Sequence, residues 1–420
     1  MPTDIPIRIA IIGAGVGGLV LATALQHDSR VQISVYEAQA NVEETGAGIG
    51  CFGKSVQIIN ALGLADALAA IATCHPRDFE RLTFRVRKSN KEPGHTFATR
   101  QFGEGQTFHR TPFLNIFRDR LPSSIFHYGK RLISYMESDS EVCMTFADGT
   151  TATCDLLIGC DGIRSAVRRC MFTVEQNVGD AVWSGSLAYR ALFPTNLAAG
   201  RGGEAHPISS GPTAYCGQNK NIIAYPVGNG TMINMVLYVT PDPSLRGTTY
   251  TEGAWVSEVT ASEILKHYTG WEAEVQSLLN CLDTADLRLA KWAIHEVKPL
   301  GTYVRGRVAL LGDAAHAMQP HSGSGANQTI EDAYMLARLL QGSHTVEETL
   351  RVYNAVRREH ANTVAESSAR AGHMLQSLGT ADPDAIKALA RELETFDEWH
   401  KSGDVEADVE KALKLLQPDT

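Results

Sequence analysis

An α/β fold is what the 420 residues predict: a parallel sheet assembled from separated parts of the chain, an antiparallel sheet inserted between those parts, and helices at the C-terminal end. Three observations carry this expectation. Apolar strands run straight into glycine-containing turns and then helices at residues 7–37, 154–169 and 309–327. Between them lie runs that alternate, or are rich in β-branched and aromatic residues, with turn signals separating them. From Ala326 onward apolar residues recur at helical spacing, at Ala333, Leu336, Ala337 and Leu340.

The elements follow in order. Ile7 to Ile12, Gly17 to Gln26 and Gln32 to Tyr36 read as strand, helix and strand, a βαβ unit. Leu156-Leu157-Ile158-Gly159 repeats the strand, with a helix from Arg164. Strands of the inserted sheet are expected at Arg81 to Val86, Val182 to Phe193, Ile222 to Pro226 and Met232 to Val239, with Gly228-Asn229-Gly230 as a turn. Thr111-Pro112 reads as an N-cap followed by a first-turn proline. Asp382-Pro383 starts a further helix and Val405 to Leu416 forms the last. A chain this long exceeds one ordinary core. The expected division is 1–75, 100–175 and 295–345 as a discontinuous first domain, 76–99 and 176–294 as the second, and 346–420 as a helical segment.

Composition excludes several classes. Hydrophobic residues make up 44% and charged residues 20%, ordinary values for a globular protein. A net charge of -9 disfavours nucleic acid or an anionic membrane as partner. Eight cysteines without a CxxC pair argue against a zinc site or redox couple and fit reduced thiols in the cytoplasm. The run Ile9 to Leu25 is apolar except for Thr23, but it contains four glycines and falls short of the roughly 20 residues a membrane span needs.

Gly13-Ala14-Gly15-Val16-Gly17-Gly18 follows the first strand and opens a helix. In a Rossmann-like unit Gly13 makes the tight turn, Gly15 lets a pyrophosphate approach the backbone, and Gly18 lets helix pack on strand. The helix N-terminus then faces the phosphates. Glu37 ends the second strand, where it can accept hydrogen bonds from an adenosine ribose. Glu37 does not separate FAD from NAD; Asp313 does. If Gly312-Asp313 ends a strand beside the first, Asp313 meets the ribityl chain that only FAD carries. A helix starting near Gly325-Ala326-Asn327 would aim its positive end at the flavin edge that gains charge on reduction. His316 reads as a packing or locally hydrogen-bonded residue.

These motifs, with His109-Arg110 and Cys160-Asp161-Gly162-Ile-Arg-Ser165-Ala-Val-Arg168, give a chain that resembles the group A FAD-dependent aromatic monooxygenases over nearly its whole length. The resemblance implies FAD bound through Gly13, Gly15, Gly18, Glu37, Arg110, Asp161, Asp313, Gly325, Ala326 and Asn327. It implies that Ala47 and Gly48 lie in the loop set against the flavin, and that the Asp161-Gly162 segment serves both FAD and NAD(P)H. Thr111-Pro112 and the proline-free Gly50-Cys51-Phe52-Gly53 depart from the family pattern. No second GxGxxG follows a strand, which fits transient NAD(P)H binding over the flavin.

Further expectations follow from the resemblance. The substrate is a small phenol, hydroxylated with O2 through a flavin C4a-hydroperoxide, with or without decarboxylation or dearomatisation. Arg190 is the cation that stabilises the phenolate, and Tyr225 its partner in orientation or proton transfer. No metal is expected, and a homodimer is left open. The flavin motifs leave an epoxidase or an FAD-dependent reductase of the same fold as alternatives. A halogenase would need a WxWxIP motif, which is missing, and a non-catalytic dinucleotide-binding protein would not need Gly312-Asp313. Glu37→Ala should weaken FAD binding by roughly 1–3 kcal/mol, the scale of losing hydrogen bonds to a charged acceptor. A fluorescence titration with unchanged FAD affinity would remove the ribose assignment.

Overall fold

The computed structural model describes residues 6–40, 48–72, 83–101, 105–172, 179–198, 204–227, 230–283, 287–378, 383–395 and 403–417. Ala47 lies outside the described residues.

Two large sheets organise the chain. The first has six strands in the order Val304–Arg305, Val308–Leu310, Leu156–Gly159, Ile7–Ile12, Val31–Tyr36 and Phe126–His127. Its pairings are parallel except for the short hairpin formed by the two strands at Val304–Arg305 and Val308–Leu310. The three strands that run into glycine turns are therefore neighbours in register, with Ile12 beside Gly159 and Gly159 beside Leu310. Parallel strands end on the same side. The turns at Gly13, Asp161 and Asp313 thus gather along one edge.

The second sheet has eight strands, ordered Val256–Glu258, Ala290–Val297, Ala181–Pro194, Met232–Val239, Lys220–Val227, Thr213–Gly217, Thr83–Lys88 and His95–Gln101. It is mixed, not antiparallel throughout: Thr213–Gly217 pairs parallel with Thr83–Lys88. These two strands are far apart in sequence, so no tight turn imposes the antiparallel sense. The ladder includes all of His95–Gln101 and Ala290–Val297, so the expected boundaries at 99/100 and 294/295 each cut a strand.

Side-chain alternation gives this sheet two different faces. Leu187, Tyr189, Ala191, Met235, Leu237, Ile222 and Ala224 point to a core roofed by the helices Ala261–Leu265 and Ala273–Asn280. The opposite face carries Ala188, Tyr238 and Ile294, with Ile223, Val236 and Trp292 packed against them. Here the sheet meets the first sheet's loops. A smaller antiparallel arm of Gly48–Phe52 and Gly105–His109 lies on this side.

The helix Arg110–Arg118 that follows the arm is capped by His109 in extended backbone, so Thr111 is inside the first turn and not the N-cap. Helix Gly325–Leu340 packs on Val16–Leu25 through Thr329 and Gly17. The 31-residue helix Val346–Gln376, opened by a Thr345/Glu348 capping box, is about 46 Å long at 1.5 Å per residue. It spans both sheets: Tyr353 donates to the Leu310 carbonyl, and at the far end Gln376 bonds Thr240 and Asn221. Helix Val405–Lys414 closes the chain against the first sheet's helices through Lys54–Asp408 and Arg338–Glu406. Among the described residues no helix is long and apolar enough to cross a membrane.

One buried cluster fixes the turn after Val308–Leu310. Asp332 accepts from the Gly312 N–H at 3.0 Å, from His316 at 2.5 Å and from Arg357 at 2.7 Å. Arg357 also binds Glu331 and Gln328. Burial alone would raise the Asp332 pKa, but His316 and Arg357 outweigh it and pull it down to about 2. The folded value lies below the ~3.9 of an unfolded aspartate. Its stabilisation is therefore complete above about pH 4 and is lost as pH falls toward 2. Asp332→Asn should cost on the order of 3–5 kcal/mol, because Arg357 keeps a buried charge with its partner weakened. Denaturant unfolding at pH 7 measures this, and a loss below about 1 kcal/mol would make the cluster incidental.

Candidate active site

The three motif glycines have different reasons to be glycine. Gly13 sits at φ +108°, and a Cβ there would lie 2.4 Å from the Cys160 carbonyl oxygen. A Cβ on Gly18 would fall 2.0 Å from the Gly13 oxygen. Gly15 has nothing within 4 Å. Gly13 and Gly18 are thus required by the protein's own packing, while Gly15 borders open space. That space adjoins the free N–H groups of helix Val16–Leu25, whose cap uses no side chain. The cradle fits a pyrophosphate. Glu37 stands beside it, taking one backbone N–H on each oxygen, from Ala14 and Gln39, both at 2.9 Å. A carboxylate offers about four acceptor sites, so two remain for ribose hydroxyls.

Asp161 is placed between the cradle and the turn at Gly312. One of its oxygens caps the following helix by accepting from Ala166 and Val167, and the other is buried without a partner. Burial raises its pKa, against the pull of Ser165 and the helix N–H groups. Arg168 is fully buried and spends its guanidinium on carbonyls: Gly179 at 2.5 Å, Ala314 at 2.8 Å, and Ile163. Burial lowers its pKa to about 10. It ties the Asp161–Ile163 loop to the Asp313–His316 turn, a role the motif alone did not disclose.

Asp313 is exposed at the start of that turn. Gly325 follows nearby, with Asp313 Oδ1 4.0 Å from where a Cβ on it would stand. Asn327 faces the other way. Its Oδ1 accepts from Phe52 N–H, and its Nδ2 donates to the Gly50 and Gly323 carbonyls, each at 3.0 Å. Its side chain clamps the Gly48–Phe52 arm to the helix start, so any contact with a cofactor falls to its backbone. Ala326 is half-buried beside it, and Arg110 is half-buried as the first residue of its helix, next to the Gly48–His109 pairing.

The eight-stranded sheet reaches this edge with polar and aromatic side chains. Arg190 and Tyr225 share the face of Ala188 and Ile223, two residues on along each strand. Tyr225 Oη lies 3.4 Å from a Cβ built on Gly48, so the sheet touches the arm there. Burial raises the Tyr225 pKa and pushes Tyr238 up to about 12, and in each case the Arg190 charge opposes the rise. Arg190 Cζ sits 4.9 Å from the Trp292 ring centre, and its Nε is buried with no hydrogen-bond partner.

Sequence reasoning missed His321. It follows Pro320 in the loop before helix Gly325–Leu340, its ring 4.6 Å from that of Tyr238 and its Nδ1 buried without a partner. Gly372 leaves the room: a Cβ there would meet the imidazole at 2.2 Å. Burial drives its pKa down to about 4. A histidine inside the proline-and-glycine loop was the available signal. His316, by contrast, is wholly buried on Asp332.

The glycines predict a clean separation. Gly15→Ala should leave apo-protein stability within about 0.5 kcal/mol and weaken FAD binding at least 10-fold, while Gly18→Ala should destabilise the apo-protein by about 1–3 kcal/mol. Thermal melts of both apo variants with FAD titrations check this, and equal destabilisation by the two would refute the assignment of the open space.

Residues 7–368 match the family model described as an FAD binding domain. The salicylate hydroxylase of Pseudomonas putida is 34% identical, with 98% of this chain and 95% of that protein covered. The 6-methylsalicylate 1-monooxygenase of Aspergillus terreus is 31% identical over 86% of this chain and 81% of its own. A solved salicylate hydroxylase substrate complex superposes with a TM-score of 0.85 at 29% identity, covering 98% of each chain. The chain belongs to the FAD-binding family of aromatic monooxygenases that includes the salicylate hydroxylases.

Proposed function

We propose that the protein is an NAD(P)H- and O2-dependent FAD monooxygenase that hydroxylates a small phenolic ring. One observation carries the reading. Arg190 brings a cation to the face where the sheet meets the flavin-side arm, and no described residue gives it an ion pair or hydrogen bond. A half-buried charge without a counter-ion fits an anion that arrives with the substrate.

FAD would be held by the Gly13–Gly18 cradle at its pyrophosphate, Glu37 at the ribose, Asp313 at the ribityl chain, and the Gly48 arm and Gly323–Ala326 backbone at the ring. Bound there, it supplies acceptance of hydride from NAD(P)H and activation of O2. The chain's own residues prepare the phenol. A free phenol ionises near pH ~10, so little phenolate exists in neutral water. Arg190 favours the charged form and holds it as the ring becomes electron-poor during oxygen transfer. Tyr225, beside Gly48, orients the hydroxyl. His321 is neutral at pH 7, because burial holds its pKa down to about 4, so its unpartnered Nδ1 can accept a hydrogen bond from the phenolic hydroxyl without taking its proton. Tyr238 and Trp292 wall the space and exclude water.

Oxidation of NADH or NADPH should be stimulated by at least one of salicylate, 6-methylsalicylate and salicylaldehyde, with a hydroxylated product. Arg190→Ala should lower the hydroxylation rate by about 2–4 kcal/mol in barrier while FAD occupancy holds. Lysine should rescue in part, keeping the charge but losing the planar fork. Wild-type turnover by Arg190→Ala would make Arg190 an ordinary strand residue.

A further inference from the structure

We infer that Trp292 is a positioning residue that keeps Arg190 available to the substrate anion, an inference that rests on the reading of Arg190 just given. Trp292 lies on the strand Ala290–Val297, paired with Ala188, and Arg190 pairs with Ala290 on the same strand. The indole and the guanidinium are therefore diagonal neighbours on one face, and Arg190 Cζ stands 4.9 Å from the ring centre. Trp292 is itself fixed by packing against Ala188, Tyr238 and Ile294.

The alternatives open to a cation at this position show why an indole matters. A carboxylate neighbour would hold Arg190 as firmly but would neutralise it, and an incoming anion would have to displace that partner. Two other arginines of this sheet are held in that way, Arg87 by Glu272 at 2.6 Å and Arg85 by Glu274 at 3.0 Å, as is Arg246 in the loop after Pro243–Leu245, by Glu296 at 2.8 Å. An aromatic face attracts the cation through its quadrupole without cancelling its charge, and leaves the edge of the guanidinium free to bind. The buried Arg190 Nε, with no partner of its own, is what such an arrangement leaves. Tyr225 and Tyr238 add no negative charge, since burial raises both of their pKa values.

Trp292 contributes no atom to the chemistry, so its loss should act on anion binding and only through Arg190. Flavin-absorbance titrations of the FAD-loaded enzyme with salicylate, 6-methylsalicylate and salicylaldehyde read that binding. Trp292→Leu should weaken the tightest of the three by on the order of 10-fold, and Trp292→Phe by roughly 3-fold or less, because phenylalanine keeps a π face. With Arg190→Gln already present, Trp292→Leu should have no further effect, there being no cation left to hold. FAD occupancy serves as the folding control. Equal losses with leucine and phenylalanine, or the same loss with and without Arg190, would overturn the inference and make Trp292 a packing residue. If Arg190→Gln weakens binding while Trp292→Leu in the wild type does not, the inference alone fails. If Arg190→Gln changes nothing, or none of the three ligands binds, the reading of the pocket fails and this inference falls with it.

Discussion

The Asp332 carboxylate is the interaction on which the flavin-side geometry rests. It takes hydrogen bonds from the Gly312 N–H, His316 and Arg357 while wholly buried. An isolated carboxylate could not stay ionised there. The donors around it make it possible, and they reach it on helix Gly325–Leu340 from two other elements: Gly312 and His316 from the turn, and Arg357 from the long helix Val346–Gln376. Asp313 can therefore point into open space at the end of a strand, because its neighbour is anchored from behind. Arg168 does the matching work from the other side by gathering the carbonyls of Ile163, Gly179 and Ala314. Between them the two residues hold two of the three turns that line the cofactor edge.

The active edge is built by a division of labour. The parallel sheet supplies turns whose backbone borders open space at Gly15 and, in the function proposed here, would face the cofactor, while the side chains of the mixed sheet would face the substrate. Asn327 joins the two, since it pins the Gly48–Phe52 arm to the start of helix Gly325–Leu340. Tyr225 meets the same arm from the sheet. The long helix Val346–Gln376 then sets one sheet relative to the other, bonded to Leu310 at one end and to Asn221 and Thr240 at the other.

Much of this was legible in the sequence because the signals are local. A strand followed by glycines and a helix announces its own turn, so the places of Gly13, Glu37, Asp161 and Asp313 needed no tertiary information. The strands Met232–Val239 and Lys220–Val227 were legible from alternation and from the Gly228-Asn229-Gly230 signal between them, of which Gly228 and Asn229 lie outside the described residues. What could not be read depends on residues that meet only after folding. The parallel pairing of Thr83–Lys88 with Thr213–Gly217 is set by an excursion of more than a hundred residues through the other sheet. Asp332 and Arg357 look like ordinary surface charges on amphipathic helices until His316 and Gly312 are brought to them. Asn327 was legible as part of a helix start, but not that its side chain is spent on the arm, and His321 was not singled out at all. Spacing identifies which segment lines a site; it does not say which way a given side chain turns.

The central claim is that this edge places an activated oxygen next to a phenol held by Arg190. The most direct test is turnover of the best phenolic ligand under 18O2, with NAD(P)H consumption, product and peroxide measured together. The account predicts one labelled oxygen in the product ring for each nicotinamide oxidised, with little peroxide released. A reduced product formed without O2, or complete conversion of O2 to peroxide with no label in the ring, would contradict it.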